Sequence, residues 1–213
     1  FHLLSAHPMG KRFDEFKVFR PAKSIQTWDL TSYDKSISNE YSNYYDDGVL
    51  QADWIISCIF KTLGEEGYLE DSIVVIIGDH GEGLGEHGHF HHGKYLYSEY
   101  INIPILFIRT KKQKQLHLDY ATQVDVSPTI LDLLGLNPPE CWDGKILTIE
   151  HKNRITYHQT TENNVHAIIE KNNNELTKYI EKDGSCVKYN ICADKQELFP
   201  VKSSCEKFDF ISK

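Results

Sequence analysis

Residues 72–94 read Ser-Ile-Val-Val-Ile-Ile-Gly-Asp-His-Gly-Glu-Gly-Leu-Gly-Glu-His-Gly-His-Phe-His-His-Gly-Lys, and this stretch determines how the rest of the chain is interpreted. The apolar run from Ile73 to Ile77 is rich in β-branched residues and is too short for a stable helix, so it predicts a buried strand. The strand ends at Gly78, where a polar, glycine-rich loop begins. The sequence therefore places reactive side chains directly after a core strand.

Histidine is concentrated in this loop. Five of the eleven histidines of the chain fall within thirteen residues, together with nearby carboxylates. In open α/β sheets ligands bind beyond the carboxyl ends of strands, and imidazole and carboxylate are usual ligands for zinc and manganese. We therefore predict that the chemistry of the protein lies here. The side chains concerned are His80, His87, His89, His91 and His92, with Asp79, Glu82 and Glu86.

Asp79 and His80 follow the strand directly, so the strand fixes the backbone of both. A carboxylate and an imidazole placed in this way can bind one divalent metal or separate metals. Alternatively, the aspartate holds the imidazole in one tautomer. A solvated glycine-rich turn is the structural alternative, and the histidine pair a dozen residues later favours metal binding over it.

The composition excludes several classes of protein. The chain has 213 residues, of which 40% are hydrophobic, as is ordinary for a globular domain with a sizeable core. Its net charge of −8 predicts that nucleic acid is not a partner, because phosphate binding needs an excess of Lys and Arg. No apolar run approaches the roughly 20 residues that span a bilayer.

The elements around the loop predict an α/β domain over residues 1–150 and a small antiparallel β subdomain over residues 151–213. The predicted helix of residues 38–66 begins with Ser38 as its cap and has an apolar face from Val49 to Leu63. The other predicted elements are strands at Phe1–Ala6 (ending at His7) and 101–108, a helix at 122–134 capped by Ser127-Pro128, and hairpin strands at 154–158, 165–171, 176–181 and 186–191.

Two further sets of residues carry predictions. The aspartates of the long helix, Asp46, Asp47 and Asp53, are expected to lie on a solvated face. The five cysteines form no Cys-x-x-Cys pair, which argues against a thiolate zinc site. Free thiols are the expected state of the cysteines, and a Cys186–Cys192 or a Cys192–Cys205 disulfide is the alternative.

The stretch from Gly78 to Gly88 resembles the signature of the sulfatase branch of the alkaline phosphatase superfamily. This branch includes sulfatases, phosphonate and phosphate ester hydrolases, and phosphoethanolamine transferases. The resemblance implies a three-layer α/β/α alkaline-phosphatase-like fold, of which this chain is the C-terminal portion. It extends to His2–His7, Lys11–Pro21, Tyr45–Leu63 with Asp53, Tyr97–Pro104, Val124–Gly135 and Asp143-Gly144.

The resemblance also implies roles for individual residues. Asp79 and His80 are expected to be metal ligands, while His7 and His92 contact the phosphate or sulfate oxygens or complete a second metal site. Sulfatases usually have a lysine where this chain has His92, and phosphoethanolamine transferases have a histidine. This difference favours phosphoryl chemistry, and zinc or manganese over calcium or magnesium. Secondary candidates are His87, His91 and Lys94.

The nucleophile that the family requires is not recognisable in this chain. No cysteine lies in a Cys-x-Pro-Ser-Arg context, and no threonine stands in a nucleophile motif. We therefore expect the nucleophile and a further acidic ligand to lie in an N-terminal half that precedes Phe1, so that this portion alone is inactive. The resemblance implies a periplasmic or extracytoplasmic location with a membrane tether upstream, and lipid head groups as possible acceptors.

The sequence thus predicts a metal-dependent hydrolase or transferase that acts on sulfuric or phosphoric esters, including possible phosphoethanolamine transfer. One alternative is a degenerate family member that serves as a metal-binding or structural domain. A weaker alternative is a histidine-rich loop that stores metal at several weak sites.

Overall fold

The computed structural model of the chain describes residues 1–25, 35–111, 120–160 and 163–209. Helices and strands are mixed in the first two thirds, and five strands followed by one short 3-10 turn (Glu206–Phe208) make up the described part of the last third. Within these ranges no helix combines the length and apolarity needed to cross a membrane. In chain order the elements are α1 (Lys35–Glu65), β1 (Ile73–Ile77), β2 (Gly83–Leu84), β3 (Phe90–His91), α2 (Ser98–Ile101), β4 (Ile105–Arg109), α3 (Val126–Leu133), β5 (Asn153–Gln159), β6 (His166–Asn172), β7 (Glu175–Lys182), β8 (Ser185–Asn190) and β9 (Val201–Lys202).

The chain forms two compact units. The first unit comprises residues 1–72 and 82–92, and the second comprises residues 73–81 and 93–213. The loop after β1 therefore contributes residues to both. The predicted domain boundary at residue 150 stays a prediction.

The first unit is built around α1, which begins three residues before the predicted start at Ser38. Ser38 lies within the helix and donates its hydroxyl to Leu84 O instead of capping the N-terminus. A buried cluster of Tyr41, Ile25 and Phe90 forms the core, with the β2–β3 hairpin packed on the helix. The predicted apolar face is only half-buried, and Val49 at its start is exposed. The buried positions of the middle of α1 instead include Asp47 and Gln51.

Asp47 contradicts the prediction of a solvated helix face. Its side chain is 2% exposed, and it accepts hydrogen bonds from the backbone N–H groups of Val18 and Phe19 and from Arg20 Nη1. These partners belong to a segment remote in sequence, so helix periodicity alone gave the wrong result. Asp46 and Asp53 are exposed, as predicted.

In the second unit β1 pairs antiparallel with β4, with Ile73 opposite Arg109 and Ile77 opposite Ile105. The bounds of β1 match the prediction, but the strand is half-buried in this chain and not fully buried. β4 begins only at Ile105, whereas the sequence predicted a strand from Ile101. Residues 98–101 instead form α2, and Asn102 N donates to Ser98 O to close its last turn.

The predicted helix at 122–134 is a short 3-10 turn over residues 123–125 followed by α3. Thr122 and Asp125 form a capping box at its start, so the predicted cap at Ser127 is wrong. Gly135 ends the helix as predicted, with a φ of +76° that favours glycine.

The five strands β5 to β9 form an antiparallel meander, which confirms the predicted C-terminal hairpins. The tight turns fall where the sequence has Asn and Asp-Gly. Asn173 has a φ of +54°, and Asp183 and Gly184 have φ values of +51° and +76°. Such left-handed backbone is tolerated best by these residue types, so turn chemistry fixed the register here.

A disulfide joins Cys186 and Cys205, so the expectation of free thiols is wrong for these two cysteines, and neither of the two alternative pairings forms. Cys186 lies on β8 in a buried cluster with Ile168 and Phe208, while Cys192 is an exposed free thiol just beyond β8. The pairing follows from the meander, because Ser203 near the end of β9 hydrogen-bonds to Cys186 O and brings residue 205 beside β8. Sequence spacing carried no information on this contact.

We expect the double substitution Cys186→Ala and Cys205→Ala to lower the free energy of unfolding by about 3 kcal/mol. The reason is that the bond joins residues 19 apart and restricts the unfolded chain. Equilibrium unfolding in urea measures the change. Cys192→Ala, the control, should change stability by less than about 0.5 kcal/mol. Equal effects of the two variants would contradict a structural role for the bond.

A buried ion pair fastens the C-terminal sheet to the segment after the histidine loop. Lys178 Nζ on β7 lies 2.5 Å from Glu197 Oε1, and both side chains are fully buried. Lys178 also donates to Leu96 O at 2.8 Å, and Glu197 accepts from Ser98 N at 2.6 Å. The ion pair therefore holds residues 96–98 by two hydrogen bonds, one donated by the lysine and one accepted by the glutamate.

Lys178→Met should destabilise the protein by about 3–5 kcal/mol, because it leaves the Glu197 carboxylate buried without its cation. Adding Glu197→Gln should recover part of that loss, since the amide is neutral and its oxygen still accepts from Ser98 N. Thermal and urea unfolding of the two variants measure the difference. A double variant that is less stable than the single one would contradict this account.

Candidate active site

His7 lies in a turn and not at the end of a strand, so the predicted strand at residues 1–6 is wrong. His7 N donates to Leu4 O at 3.2 Å, and Gly10 N donates to His7 O at 2.8 Å. The guanidinium of Arg12 holds the same turn, because it donates to Ala6 O, His7 O and Gly10 O. The buried guanidinium of Arg12 therefore donates the hydrogen bonds that these carbonyls would accept from a neighbouring strand in a sheet.

The hydrogen bonds of His7 indicate which ring nitrogen carries the proton. Met9 N donates to His7 Nδ1 at 3.2 Å, so Nδ1 is an acceptor and the neutral ring carries its proton on Nε2. An Nε2–H group is a hydrogen-bond donor and suits an anionic oxygen better than a metal ion. His7 therefore has the chemistry of an anion contact.

His92 has the opposite arrangement. Its Nδ1 lies 2.6 Å from Glu82 Oε2, and because a carboxylate only accepts, Nδ1 must be the donor. The lone pair of the neutral ring is then on Nε2, where it can ligate a metal or take up a proton. The ring of His92 packs edge-on against that of His7, with ring centroids 5.4 Å apart.

Glu82 is the centre of this cluster in the first unit. Its side chain is 5% exposed, and its Oε1 accepts from the hydroxyl of Tyr41 at 2.6 Å. His91 Nδ1 lies 3.0 Å from the same hydroxyl oxygen and 3.4 Å from Glu82 Oε1. His91 is buried and has a φ of +66°, so it occupies a strained backbone position that points to a structural requirement.

The ionisation of the cluster follows from these contacts. Burial would raise the pKa of Glu82, but the hydrogen bonds from His91, His92 and Tyr41 outweigh it and hold the pKa at about 2. Burial, and then the hydrogen bond to Glu82, raise the pKa of Tyr41. At neutral pH the cluster therefore contains a carboxylate and a protonated phenol.

In the second unit, Asp79 and His80 lie exposed at the end of β1. His80 Nδ1 lies 2.9 Å from Gly81 O, a carbonyl that can only accept, so Nδ1 carries the proton and Nε2 the lone pair. His80 Nε2 lies 3.6 Å from Asp79 Oδ2. Two ligand atoms roughly 2 Å from one tetrahedral zinc are about 3.3 Å apart, so this pair is close to chelating geometry.

The backbone around the pair also fits a close approach. Gly81 N donates to Tyr100 O at 2.8 Å, and a Cβ atom at position 81 would lie 2.1 Å from Glu99 O. Only glycine can occupy this position without moving α2. The donor set and the constrained loop therefore fit a divalent metal ion.

The remaining candidates of the loop have less specific surroundings. His87 and His89 are half-buried in the first unit, near the turn closed by Gly88 N and Gly85 O. Lys94 is half-buried in the second unit, and its carbonyl accepts from Asn163 Nδ2. Their predicted secondary roles stay predictions.

Sequence reasoning missed the residues that orient the histidines. In the sequence Glu82 is one of several loop carboxylates, although in the structure it accepts a hydrogen bond from His92 Nδ1. Tyr41 lies in the predicted helix and Arg12 in a polar segment, and neither sequence context indicates a role in the site. No local signal marks Tyr41, because it reaches Glu82 across 41 residues, and none marks Arg12, although the carbonyls of the His7 turn that it binds lie close to it in sequence. Glu82 is the exception, because an acidic residue within a histidine-rich loop is a common hydrogen-bond partner of imidazole, and the sequence does show this proximity.

The comparison with known protein families decides the identity of the chain. The family described as sulfatase matches residues 1–136, which is well over half of the chain. The chain belongs to the sulfatase family. The predicted resemblance to the sulfatase branch of the alkaline phosphatase superfamily is thereby confirmed.

Curated relatives include proteins named for phosphate chemistry and proteins named for sulfate chemistry. A multifunctional alkaline phosphatase superfamily protein, PehA of Trinickia caryophylli, is 31% identical over 103 residues, which is 46% of this chain and 20% of that protein. The phosphoethanolamine transferase EptA of Helicobacter pylori is 26% identical over 166 residues, covering 71% and 30%. An N-acetylglucosamine-6-O-sulfatase of Bacteroides thetaiotaomicron is 33% identical over 116 residues, covering 52% and 21%.

Solved structures confirm the fold. One, described as bound to its substrate D-glucosamine-2-N,6-O-disulfate, has a TM-score of 0.64 at 23% identity over 76% of this chain and 36% of its own. Another, a 2-O glycosaminoglycan sulfatase, has a TM-score of 0.58 at 21% identity over 83% and 40%. The predicted alkaline-phosphatase-like α/β fold is therefore correct. The chain spans less than half the length of each of these relatives.

We expect Glu82→Leu to change the tautomer of His92. Without the carboxylate the Nδ1–H form loses its acceptor, so the neutral ring should shift towards Nε2–H. Imidazole ¹⁵N chemical shifts measure the two forms. Tyr41→Phe is the control, because it removes a hydroxyl from the cluster and retains the carboxylate. Persistence of the Nδ1–H form in Glu82→Leu would contradict the assignment.

Proposed function

We propose that the full-length protein is a metal-dependent hydrolase or transferase that acts on sulfuric or phosphoric esters. The observation that carries the proposal is the Asp79–His80 pair, whose carboxylate oxygen and imidazole lone pair lie 3.6 Å apart at the end of a strand. Membership of the sulfatase family supports the ester chemistry. A bound divalent metal would supply charge stabilisation and activation of the nucleophile.

The residues of this chain then have distinct roles. Asp79 and His80 Nε2 would hold the metal. His7 Nε2–H donates to an ester oxygen as charge develops on the transferring group. His92 donates a hydrogen bond from Nδ1 to the ionised Glu82, and this carboxylate compensates the positive charge of the ring when His92 is protonated. A protonated His92 can then deliver the Nε2 proton to the leaving alkoxide and recover it from the incoming acceptor.

The nucleophile and a further acidic ligand are proposed to lie outside this chain. The chain spans only 20–30% of the curated relatives described above, so most of each relative has no counterpart here. In-line attack by that nucleophile would give a covalent phospho- or sulfo-enzyme, and water or an acceptor hydroxyl would complete turnover. This portion alone is therefore expected to be inactive.

Within the proposal we favour phosphoryl chemistry and a zinc or manganese ion. The support is His92, a histidine that can take up and release a proton where sulfatases usually have lysine. The relative covering the largest share of the chain among the three described, EptA, is a phosphoethanolamine transferase. A lipid head group is then the proposed acceptor or donor, in a membrane-tethered protein outside the cytoplasm. The Cys186–Cys205 disulfide supports that location.

Asp79→Asn in the full-length protein should abolish tight metal binding and lower activity by more than about 100-fold. The amide retains the size of the side chain but is a far weaker metal ligand than the carboxylate. Elemental analysis gives the metal content. Activity is measured with p-nitrophenyl sulfate, bis-p-nitrophenyl phosphate and a phosphoethanolamine lipid, which distinguish sulfatase, phosphodiesterase and transferase.

Asp46→Asn provides the matched control, because Asp46 is an exposed aspartate on α1. It should leave metal content and activity unchanged. Metal binding with no activity on any of the three esters would instead support a non-catalytic family member. Several weak metal sites that survive Asp79→Asn would support a metal-storing loop.

A further inference from the structure

Gln123 lies in the 3-10 turn before α3 and contacts the backbone of the metal-ligand pair. Its side-chain Nε2 donates to Asp79 O at 2.6 Å and to Gly78 O at 3.2 Å. Both acceptors are carbonyls of the strand end from which Asp79 and His80 project. The amide thus holds two consecutive peptide groups at the start of the loop.

The same loop is restrained at both ends by backbone hydrogen bonds. Gly78 N donates to Pro104 O at 3.1 Å, and Gly81 N donates to Tyr100 O at 2.8 Å. The peptide group between Asp79 and His80 lies between these two anchors. Its orientation determines where the His80 ring points, because the carbonyl of Asp79 and the N–H of His80 belong to one planar unit.

Gln123 is itself held by a buried network. Its neighbour Asp125 is 0% exposed and accepts two hydrogen bonds from Arg154, at 2.5 and 2.6 Å, and one from Lys145 N at 2.7 Å. Thr122 N also donates to Asp125, at 2.7 Å. The residues on either side of the turn are therefore fixed to each other and to β5, so Gln123 projects from a rigid base.

We infer that Gln123 is a positioning residue for the metal ligands Asp79 and His80. The inference rests on the proposed function, because it assumes that this pair binds the metal. A rotation of the Asp79–His80 peptide by a few tens of degrees would move His80 Nε2 away from Asp79 Oδ2 and spoil chelation. Gln123 opposes that rotation through the carbonyl oxygen of the same peptide.

A merely structural role makes a different prediction. If Gln123 only attached one segment to another, its loss would lower the stability of the metal-free protein and leave intrinsic metal affinity unchanged. If it positions the ligands, metal affinity falls while metal-free stability changes little. The side chain itself is exposed enough for an apolar substitution to be tolerated in the fold.

The test uses Gln123→Met in the full-length protein, with Gln123→Leu as a second variant that also lacks the donor. Competition with a chromophoric chelator measures the dissociation constant for zinc, and thermal unfolding of the metal-free protein measures stability. Both variants should bind zinc about tenfold more weakly, as expected when a group that orients a ligand is removed. Gln196→Met, at an exposed glutamine of the second unit, is the control and should retain wild-type affinity.

The outcomes separate the inference from the proposed function. Unchanged zinc affinity in both Gln123 variants, with affinity still lost in Asp79→Asn, would overturn the inference alone. A loss of metal-free stability large enough to account for the weaker binding would also overturn it. Absence of tight binding of both zinc and manganese in the wild-type protein would instead overturn the proposed function.

Discussion

A single buried carboxylate organises the second unit. Asp125 accepts hydrogen bonds from Arg154 on β5, from Lys145 N and from Thr122, and its side chain is inaccessible to solvent. Burial alone would raise the pKa of Asp125, but Arg154 and the backbone donors outweigh it and lower the pKa. A charge that is expensive to bury is thereby compensated on every side. The start of α3, the following turn and the C-terminal sheet are fixed relative to one another as a result.

Fixed hydrogen-bond acceptors also decide what each histidine can do. His80 and His92 both donate Nδ1–H to an oxygen, which leaves the Nε2 lone pair for a metal or a proton. His7 accepts at Nδ1 and so presents Nε2–H. Counting histidines in the loop predicted a metal site, but it could not distinguish a ligand from an anion contact. That distinction depends on Gly81 O, Glu82 and Met9 N, whose positions only the fold determines.

The sequence predicted elements well wherever a local pattern was sufficient. Strand alternation and the Asn and Asp-Gly turns placed four of the C-terminal strands within about two residues, and the β-branched run placed β1. Predictions failed where a polar side chain is buried by a distant partner. Arg20 buries Asp47, which was predicted to be solvated, and no local pattern marks the buried Lys178–Glu197 pair, although Asp, Lys and Glu are ordinarily exposed. The prediction for the cysteines failed for the same reason, because the strand order of the sheet brings Cys205 beside Cys186.

The pairing of His92 with Glu82 bears directly on the kind of chemistry the protein can perform. A lysine at this position would offer a fixed positive charge, which suits the binding of an anion but not the exchange of a proton near neutral pH. An imidazole on an ionised carboxylate can hold a proton at Nε2 and release it to a leaving oxygen. It can equally present a lone pair to a metal. The buried position of Glu82, with Tyr41 donating to its other oxygen, keeps the carboxylate ionised and in place for either role. This arrangement is the physical basis on which the proposed function assigns proton transfer to His92.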